Sequence, residues 1–420
     1  MDPVKEMTQI GQQARQATRH LVRASGTAKN AALSAMAQGL IQHSASLQQE
    51  NEKDLRAGQE KGLSAAMLDR LTLTPSRIEA MAEGIHQVVA LEDPVGAITE
   101  MKPRPNGLLI GRMRVPLGVI GIIYESRPNV TADAAALAVK SGNAVILRGG
   151  SEAIHSNRAI VSILVAGLKT AQLPRNAVQF VNTTDRAAVG ALLRLDRYVD
   201  VIIPRGGKSL IQRVIAESHI PVIKHLDGIC HTYVDEDANL DMAVALTLNG
   251  KMQRTGVCNA TETLLVHTAM AANFLPIVGQ KLTEKGCSLR CCPHALPYLA
   301  PLGGVLATEE DWDTEYLDAI LSIRVVATME AAMDHIQTHG SQHTDVIVTQ
   351  NHERAMRFLK EVDSSSVMVN ASSRFSDGFE YGLGAEMGIS TDKLHVRGPV
   401  GLEGLTTLKY IVLGTGQTRG

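Results

Sequence analysis

From Val119 onward the chain alternates short apolar runs with helical segments, and this alternation limits the possible folds more than any other feature. Val119–Tyr124 has the length and composition of a buried strand, residues 134–140 are helical, and residues 144–147 form the next apolar run. The pattern continues with a helix at 152–169, a strand at 177–181, a helix at 186–195 and a strand at 199–203. Such alternation is typical of a parallel sheet covered by helices on both faces, so the sequence predicts an α/β fold.

A second α/β block begins at Cys230–Val234. The Ser- and Gly-rich stretch 371–390 predicts a long functional loop, and residues 405–413 form a β-branched strand with no obvious partner in this block. The first ninety residues predict helices, one of them begun by Thr74 as N-cap and Pro75 as the first helical residue. The other elements predicted for the second block are strands at 323–327, 346–349 and 367–370 and helices at 329–338 and 352–361.

Composition excludes several classes of protein. The 420 residues suffice for two or three domains, and the hydrophobic (45%) and charged (20%) fractions are those of ordinary globular proteins. The net charge of −2 gives no general attraction to nucleic acid or to an anionic membrane. Five irregularly spaced cysteines indicate a reducing compartment, and no apolar run reaches the ~18 residues that span a bilayer. We therefore expect a cytoplasmic protein without nucleic-acid or membrane partners.

Cys258 lies in a polar segment that leads into the apolar run Leu264–Val266. Gly256 is expected to allow a tight turn before the sulfur, and Lys251 and Arg254 provide positive charge that favours the thiolate. A structural cysteine more often lies inside an apolar run, although a packing role remains the alternative. This local context predicts a nucleophile.

Two predicted strands end in Gly-rich turns that open helices, Arg148–Ser151 and Arg205–Ser209. Ligands of open α/β sheets bind at the carboxyl ends of strands, where amides at helix starts attract phosphate. Neither turn has the G-x-G-x-x-G pattern or the full phosphate-loop pattern, so each alone is also compatible with a plain tight turn. Together they predict a nucleotide or dinucleotide site that includes Arg205, Gly206 and Gly207.

Four segments of the chain, taken in order, resemble the aldehyde dehydrogenase superfamily: Val115–Asn129, Lys140–Ala153, the Cys258 loop and Arg397–Leu405. In detail they are similar to one branch, the gamma-glutamyl phosphate reductases, and the resemblance covers essentially the whole chain. It implies an aldehyde dehydrogenase-like α/β fold with a Rossmann-like dinucleotide domain, a catalytic domain and a small β oligomerisation arm. We expect the first domain at 1–103 and 117–228, the second at 229–398, and the arm at 104–116 and 399–420.

The same resemblance implies an NADP-dependent oxidoreductase that reduces L-glutamyl 5-phosphate to L-glutamate 5-semialdehyde through a thioester on Cys258, the second step of proline biosynthesis from glutamate. It implies that Asn129 donates to the oxyanion and that Glu315 holds the nicotinamide ribose. Where many family members have a Glu that binds the adenosine ribose, this chain has Ser151, three residues after Arg148. Because a Glu would repel a ribose phosphate and an Arg can pair with it, we expect NADPH rather than NADH. Arg148 as a surface charge is the alternative.

His225 stands where hydrolytic members of the superfamily have a Glu general base. A reductase of an acyl phosphate needs no attack by water, so the missing carboxylate fits this activity. It counts against the main alternative, an aldehyde dehydrogenase that releases the free acid. His225 is equally compatible with a buried structural role.

The substrate carries a phosphate and a carboxylate, for which five side chains are candidates. Arg254 is the candidate for the phosphate, while the candidates for the carboxylate are Arg127, Ser372, Ser373 and Arg374. Salt bridges on the surface or between domains are the alternative roles of these arginines.

We expect no metal site, because Cys287, Cys291, Cys292 and His294 match no usual zinc spacing and are interpreted as a loop with free thiols. The strands at 108–115 and 405–413 need edge partners, which indicates a homodimer or a dimer of dimers. The family resemblance adds gamma-glutamyl kinase as a partner. From another class, a non-catalytic nucleotide-bound scaffold is the competing hypothesis.

Overall fold

The structure is a computed structural model that describes residues 2–419, and it contains two compact units. The first unit runs to Lys224 and includes Gly382–Gly388 and the chain from Val400 onward. The second comprises His225–Tyr381 and Ile389–Pro399, whereas the boundary expected from the sequence lies after residue 228. Both units have parallel sheets and helices, so the predicted α/β class is confirmed.

Five helices open the first unit, as predicted. Thr74 caps the fifth helix by accepting a hydrogen bond from the Arg77 N–H at 3.2 Å, and Pro75 is its first residue. Within residues 2–419, no helix is both long and apolar enough to cross a membrane. The helices are α1 (Pro3–Leu21), α2 (Gly26–Gln42), α3 (Ser44–Glu60), α4 (Ala65–Leu71) and α5 (Pro75–Ala90).

The first unit then forms a three-stranded antiparallel arm and a four-stranded parallel sheet. The arm strands β1 (Ile98–Pro103) and β2 (Leu109–Pro116) come first. The parallel sheet and its helices are β3 (Val119–Tyr124), α6 (Asn129–Lys140), β4 (Ala144–Gly149), α7 (Ile154–Thr170), β5 (Val178–Phe180), α8 (Arg186–Leu192), β6 (Val201–Arg205) and α9 (Lys208–Glu217). The strand order is β5-β4-β3-β6, and every residue of β3 and β4 is buried because helices cover the sheet.

The second unit is built on a seven-stranded sheet whose neighbouring strands are all parallel. Its elements are β7 (Cys230–Val234), α10 (Leu240–Met252), β8 (Thr261–His267), α11 (Thr268–Glu284), β9 (Ser288–Cys291), α12 (Leu296–Leu299), β10 (Val305–Leu306), α13 (Glu309–Trp312), β11 (Ile320–Val326), α14 (Met329–His339), β12 (Thr344–Val348), α15 (His352–Glu361), β13 (Ser366–Val369), β14 (Ile389–Ser390) and β15 (Gly398–Pro399). The order is β10-β9-β11-β8-β7-β12-β13, with β14 and β15 paired separately. Short 3₁₀ helices lie at Ser151–Ala153, Arg175–Ala177, Ala300–Leu302, Ser373–Phe375 and Glu403–Leu405.

The last strand, β16 (Thr406–Leu413), completes the arm. It had no obvious partner in the sequence, but it pairs antiparallel with β2 from Thr406 opposite Pro116 to Leu413 opposite Leu109. The order β1-β2-β16 places β16 at an edge. Among the described strands, only β2 pairs with β16. The free edge is apolar, because Tyr410, Val412 and Leu413 are 72%, 53% and 57% exposed.

The loop predicted around Cys287, Cys291 and Cys292 is interrupted by β9, which ends at Cys291, whereas Cys287 and Cys292 lie outside helices and strands on either side of it. All three are buried in the core of the second unit, and Cys291 ends β9. Burial raises the pKa of the Cys287 thiol to about 11 and that of Cys291 to about 12, so both remain protonated and pack as apolar groups. All five cysteines of the chain are free thiols. His335 is also buried, within α14.

Candidate active site

The Cys258 loop joins α10 to β8, and backbone contacts hold it in place. Gly228 passes so close that a Cβ atom there would lie 2.1 Å from the Cys258 carbonyl oxygen. The Cys230 thiol donates to the same oxygen at 3.2 Å, and Cys258 itself is half-buried. Gly256 does not adopt a positive φ, and a Cβ atom there would meet nothing closer than 3.6 Å. Gly256 lies in a bend just before the turn at Cys258, but this bend does not require a glycine, and the glycine that the loop requires is Gly228.

The sequence predicted that the positive charge of Lys251 favours the Cys258 thiolate, but this charge is engaged in an ion pair. Its side chain is fully buried, and its ammonium group pairs with the equally buried Glu262 carboxylate at 2.5 Å. Burial raises the pKa of Glu262, while Lys251 and the Leu317 N–H lower it. The pair supports the base of the loop, and its charges compensate each other.

The two arginines predicted in this part of the chain do come together. Arg254 is exposed, and Arg374 is half-buried with its Nε donating to Gln253 Oε1 at 2.9 Å. Burial lowers the pKa of Arg374, the positive charge of Arg254 lowers it further, and a negative Cys258 has the opposite effect. Arg374 therefore lies within electrostatic range of both Cys258 and Arg254.

Ser372 and Ser373 are buried, and their hydroxyl groups bond within the protein. Ser372 Oγ accepts from the Arg374 N–H at 3.3 Å, and Ser373 Oγ donates to the Asn259 carbonyl at 2.7 Å. Asn259 follows Cys258 and also donates from Nδ2 to the Ser376 carbonyl at 2.9 Å. These contacts favour a role for both serines in positioning the loop and Arg374.

Two histidines lie beside Cys258. One ring nitrogen of His225, one of His343 and the Cys258 Sγ all lie within 4.8 Å of one another. His225 Nδ1 is 3.1 Å from the Ile389 carbonyl oxygen, which can only accept, so Nδ1 carries the proton. His343 is fully buried, and burial lowers its pKa to about 3.

The sheet order explains why His343 joins the site although no sequence motif indicates it. His343 precedes β12, Cys230 starts β7 and the Cys258 loop precedes β8. These three strands are adjacent and parallel, so their amino ends meet at one edge.

Glu315 is half-buried in the segment before β11, next to the cysteine loop. Its charge helps to raise the pKa of Glu262, and the nearby Leu317 N–H donates to Glu262 Oε1 at 3.2 Å. The Leu317 carbonyl faces Gly256. The predicted ribose-binding residue and the predicted nucleophile therefore belong to packed neighbouring segments of one unit.

In the first unit, Arg148 is buried rather than a surface charge. Its Nη1 donates to the Gly149 carbonyl at 2.7 Å, while its Nε is buried without a hydrogen-bond partner among residues 2–419. Burial lowers the pKa of Arg148, and the Glu152 carboxylate counteracts this. A buried donor without a partner, beside the exposed Ser151, fits the binding of an anionic group such as a nucleotide phosphate.

Sequence reasoning missed two carboxylates in the Gly-rich turns. Glu125 Oε2 accepts from the Gly207 N–H at 3.0 Å, at the start of α9. Glu152 Oε1 accepts from the Ser126 N–H at 2.6 Å and from the Ser126 hydroxyl at 2.8 Å. A Cβ atom at Gly206 would lie 2.4 Å from the Glu125 carboxylate. A phosphate bound at the start of α9 must therefore displace Glu125.

The remaining predicted residues also lie in the first unit. Asn129 is exposed at the start of α6, and its Nδ2 donates to Asp133 Oδ2 at 3.1 Å. This bond fixes the amide and leaves its second N–H for another acceptor. Arg127 is exposed, and the half-buried Arg205 lies against Gly388, where a Cβ atom would be 3.3 Å from Nη1.

Comparisons with known proteins give consistent results. Residues 3–287 match the model of the aldehyde dehydrogenase family. The gamma-glutamyl phosphate reductase of Magnetococcus marinus is 64% identical over 419 residues, covering 100% of this chain and 99% of the relative. The crystal structure of the Thermotoga maritima gamma-glutamyl phosphate reductase has a TM-score of 0.96 at 43% identity, covering 99% of this chain and 100% of that one. An engineered glycolyl-CoA reductase with bound NADP⁺ shares the fold, with a TM-score of 0.68 at 16% identity and coverage of 97% and 96%.

Proposed function

The chain belongs to the aldehyde dehydrogenase family and, within it, to the gamma-glutamyl phosphate reductases, and from this premise we propose how its residues carry out the reaction. The enzyme is an oxidoreductase that converts L-glutamyl 5-phosphate to L-glutamate 5-semialdehyde and phosphate, the reductive step of proline biosynthesis. It binds a nicotinamide dinucleotide and a small-molecule substrate. The assignment of residues to steps is supported by the electrostatic interaction of Arg374 with Cys258 and with Arg254.

Cys258 is the nucleophile. Its thiolate forms a bond to the acyl carbon while the bond to the phosphate oxygen breaks, which leaves a thioester and free phosphate. Arg254 binds the departing phosphate and Arg374 the substrate carboxylate, because guanidinium groups match both anions with paired N–H donors. The Cys258 N–H and the Asn129 amide donate to the oxygen that becomes negative.

NADPH, when bound, supplies the hydride that reduces the thioester carbon. Glu315 holds the ribose next to the nicotinamide. Arg148 and Ser151 would donate hydrogen bonds to the 2′-phosphate. The turn formed by Arg205, Gly206 and Gly207 would hold the pyrophosphate. After reduction, the oxyanion re-forms the carbonyl, the carbon–sulfur bond breaks, and Cys258 is released as the thiolate while the semialdehyde leaves. His225 supplies no carboxylate base for water, so the thioester is kept for reduction.

The proposed reaction is tested in reverse. Glutamate semialdehyde and NADP⁺ are supplied with and without phosphate, and NADPH formation is followed by absorbance. We expect phosphate-dependent NADPH formation, because phosphate must attack the thioester to regenerate the thiol. Rapid phosphate-independent formation of free glutamate would instead identify a hydrolytic aldehyde dehydrogenase.

The preference for NADPH is tested at Ser151. Replacing Ser151 by Glu places a carboxylate where the 2′-phosphate binds, so kcat/KM for NADPH should fall relative to that for NADH. Because like charges at a binding site cost several kcal/mol, we expect the ratio to shift by at least about 100-fold. Ser209→Glu, in the other Gly-rich turn, is the control. Equal use of both cofactors by the wild type would contradict the assignment.

We further propose that the arm pairs subunits into a homodimer or a dimer of dimers. The exposed apolar edge of β16 supports this proposal. Gamma-glutamyl kinase is the proposed partner that supplies the acyl phosphate. The five free thiols fit a reducing compartment, and we place the enzyme in the cytoplasm.

A further inference from the structure

We propose that Cys258, His225 and His343 form a binding site for one thiophilic divalent cation such as Zn²⁺. Binding there takes the sulfur out of reaction. The existence of the site does not depend on the proposed reaction, whereas the inhibition that follows from it does rest on Cys258 being the nucleophile.

The geometry of the three ligand atoms carries this proposal. They lie within 4.8 Å of one another, and all three residues belong to the second unit. Ligands about 2.0–2.3 Å from a tetrahedral zinc ion lie some 3.3–3.8 Å apart, so small side-chain rotations close the set around one ion. One thiolate and two imidazoles are also the ligand types that zinc prefers.

One ring nitrogen of each histidine, Nδ1, already has the kind of partner that metal-binding histidines use. His225 Nδ1 donates to the Ile389 carbonyl at 3.1 Å, which leaves the lone pair on Nε2. His343 Nδ1 lies 2.8 Å from the Thr344 hydroxyl oxygen. Such outer contacts fix the tautomer and orientation of a metal-binding imidazole.

An independent observation points to a missing ligand. His343 is fully buried, yet its Nε2 has no hydrogen-bond partner among residues 2–419. A buried ring nitrogen without a partner is destabilising, so a structure rarely retains one without a reason. A cation bound by Nε2 would satisfy this atom.

Three protein ligands leave a fourth position of a tetrahedral ion open. Cys230 is close, with its Sγ 3.7 Å from His343 Nδ1. The Cys230 thiol donates to the Cys258 carbonyl, so its proton is engaged in holding the loop. Water or another small ligand therefore takes the fourth position.

Cobalt substitution tests the site without relying on turnover. Titration of the metal-free protein with Co²⁺ should give one equivalent per chain, with intense tetrahedral d–d bands and a thiolate-to-cobalt charge-transfer band. Cys258→Ser should lose the charge-transfer band. His225→Gln and His343→Gln should each weaken binding more than about 100-fold, because even outer partners of metal ligands contribute about 10–100-fold.

Two controls complete the experiment. His294→Gln alters the histidine beside the other cysteine cluster and should keep wild-type affinity. Zn²⁺ at about 100 times its Kd should slow alkylation of Cys258 by iodoacetamide about 100-fold in the wild type, because only the metal-free fraction reacts. His225→Gln, whose side chain is only half-buried, should lose this protection even if His343→Gln fails to fold.

A charge-transfer band that survives in Cys258→Ser, or wild-type affinity in both histidine variants, would overturn the site. The proposed function fails separately, if Cys258→Ala retains turnover. In that case the cobalt spectrum still decides whether the cation site exists.

Discussion

At the scale of single residues, close backbone packing places the reactive sulfur. Gly228 lies against the Cys258 carbonyl, and Cys230 donates to the same oxygen. A nucleophile must be held within a fraction of an ångström of its reacting geometry, and a displacement of about 1 Å can cost about 100-fold in rate. Gly228 therefore affects the rate of the reaction by positioning Cys258, although it has no reactive side chain.

Gly228→Ala tests this role. The added Cβ would lie 2.1 Å from the Cys258 oxygen, so the loop must shift, and we expect kcat/KM to fall about 100-fold. Gly256→Ala, within the Cys258 loop itself, is the control, because its Cβ would meet an ordinary contact at 3.6 Å and should cost less than about threefold. Initial rates and thermal stability are measured for both variants. Equal losses in the two variants would show that any added methyl group in this region disturbs turnover.

Asp133 carries a second prediction, which concerns pH. Burial raises its pKa from 3.8 to about 6, although the Asn129 amide and Arg205 partly oppose the shift. At pH values between these two pKa values, Asp133 is ionised in the unfolded chain but remains protonated in the folded protein. The free energy of unfolding therefore falls as pH rises from about 4 to about 6, and it stays lower above pH 6.

Asp133→Asn removes this titration and keeps an amide oxygen for Asn129. At pH 8 the variant should be more stable than the wild type by about 3 kcal/mol, and the difference should vanish below pH 4. Urea unfolding at several pH values measures it. A stability difference that is the same at pH 4 and pH 8 would exclude titration of Asp133 as its cause.

At the scale of elements, the start of α9 already holds an anion. The Gly207 N–H donates to Glu125, so the amide that the sequence assigned to phosphate is engaged by a carboxylate. Helix starts stabilise anions by about 0.3–1 kcal/mol, and a cofactor phosphate must compete with this carboxylate for the same amide.

Glu125→Gln should therefore lower the Kd for NADPH about two- to fivefold, as measured by fluorescence titration. Glu217→Gln, at the opposite end of α9, is the control and should leave the Kd unchanged. A weaker affinity for NADPH in Glu125→Gln would show instead that the carboxylate holds the turn in its binding conformation.

Local patterns predicted most elements well, and the differences have physical reasons. The sequence placed β7 and α15 at their observed bounds, because apolar periodicity and capping act over a few residues. The predicted start of α6 lies five residues after the observed start. The polar Thr131 gave no apolar signal in the sequence, although it is buried through a hydrogen bond with Tyr124. The predicted start of β11 was residue 323, whereas the strand begins at Ile320. The polar Ser322 interrupts the apolar pattern, but it is buried in the strand through a hydrogen bond with the Tyr316 hydroxyl.

At the scale of the whole molecule, strand order could not be predicted from local patterns. The sequence indicated Cys258, Arg254 and Arg374 through their own surroundings. His343 joins Cys258 only because β12, β7 and β8 are neighbours in the sheet. Pairing between distant segments depends on the packing of the whole unit, and no motif around His343 records it.

The arm carries the last prediction, which concerns assembly. Its strand β16 is paired with β2 on one side only, and Tyr410 and Val412 project apolar groups from the same face of that strand. Unpaired apolar edges promote association, so a second subunit is the expected cover. The double variant Tyr410→Lys, Val412→Lys places charge on this edge and should shift the protein to smaller species in sedimentation velocity at micromolar concentration. Leu394→Lys, in the second unit, alters an 89% exposed leucine and should keep the wild-type assembly. If the double variant sediments as the wild type does, or if the wild type is itself a monomer, β16 does not join subunits.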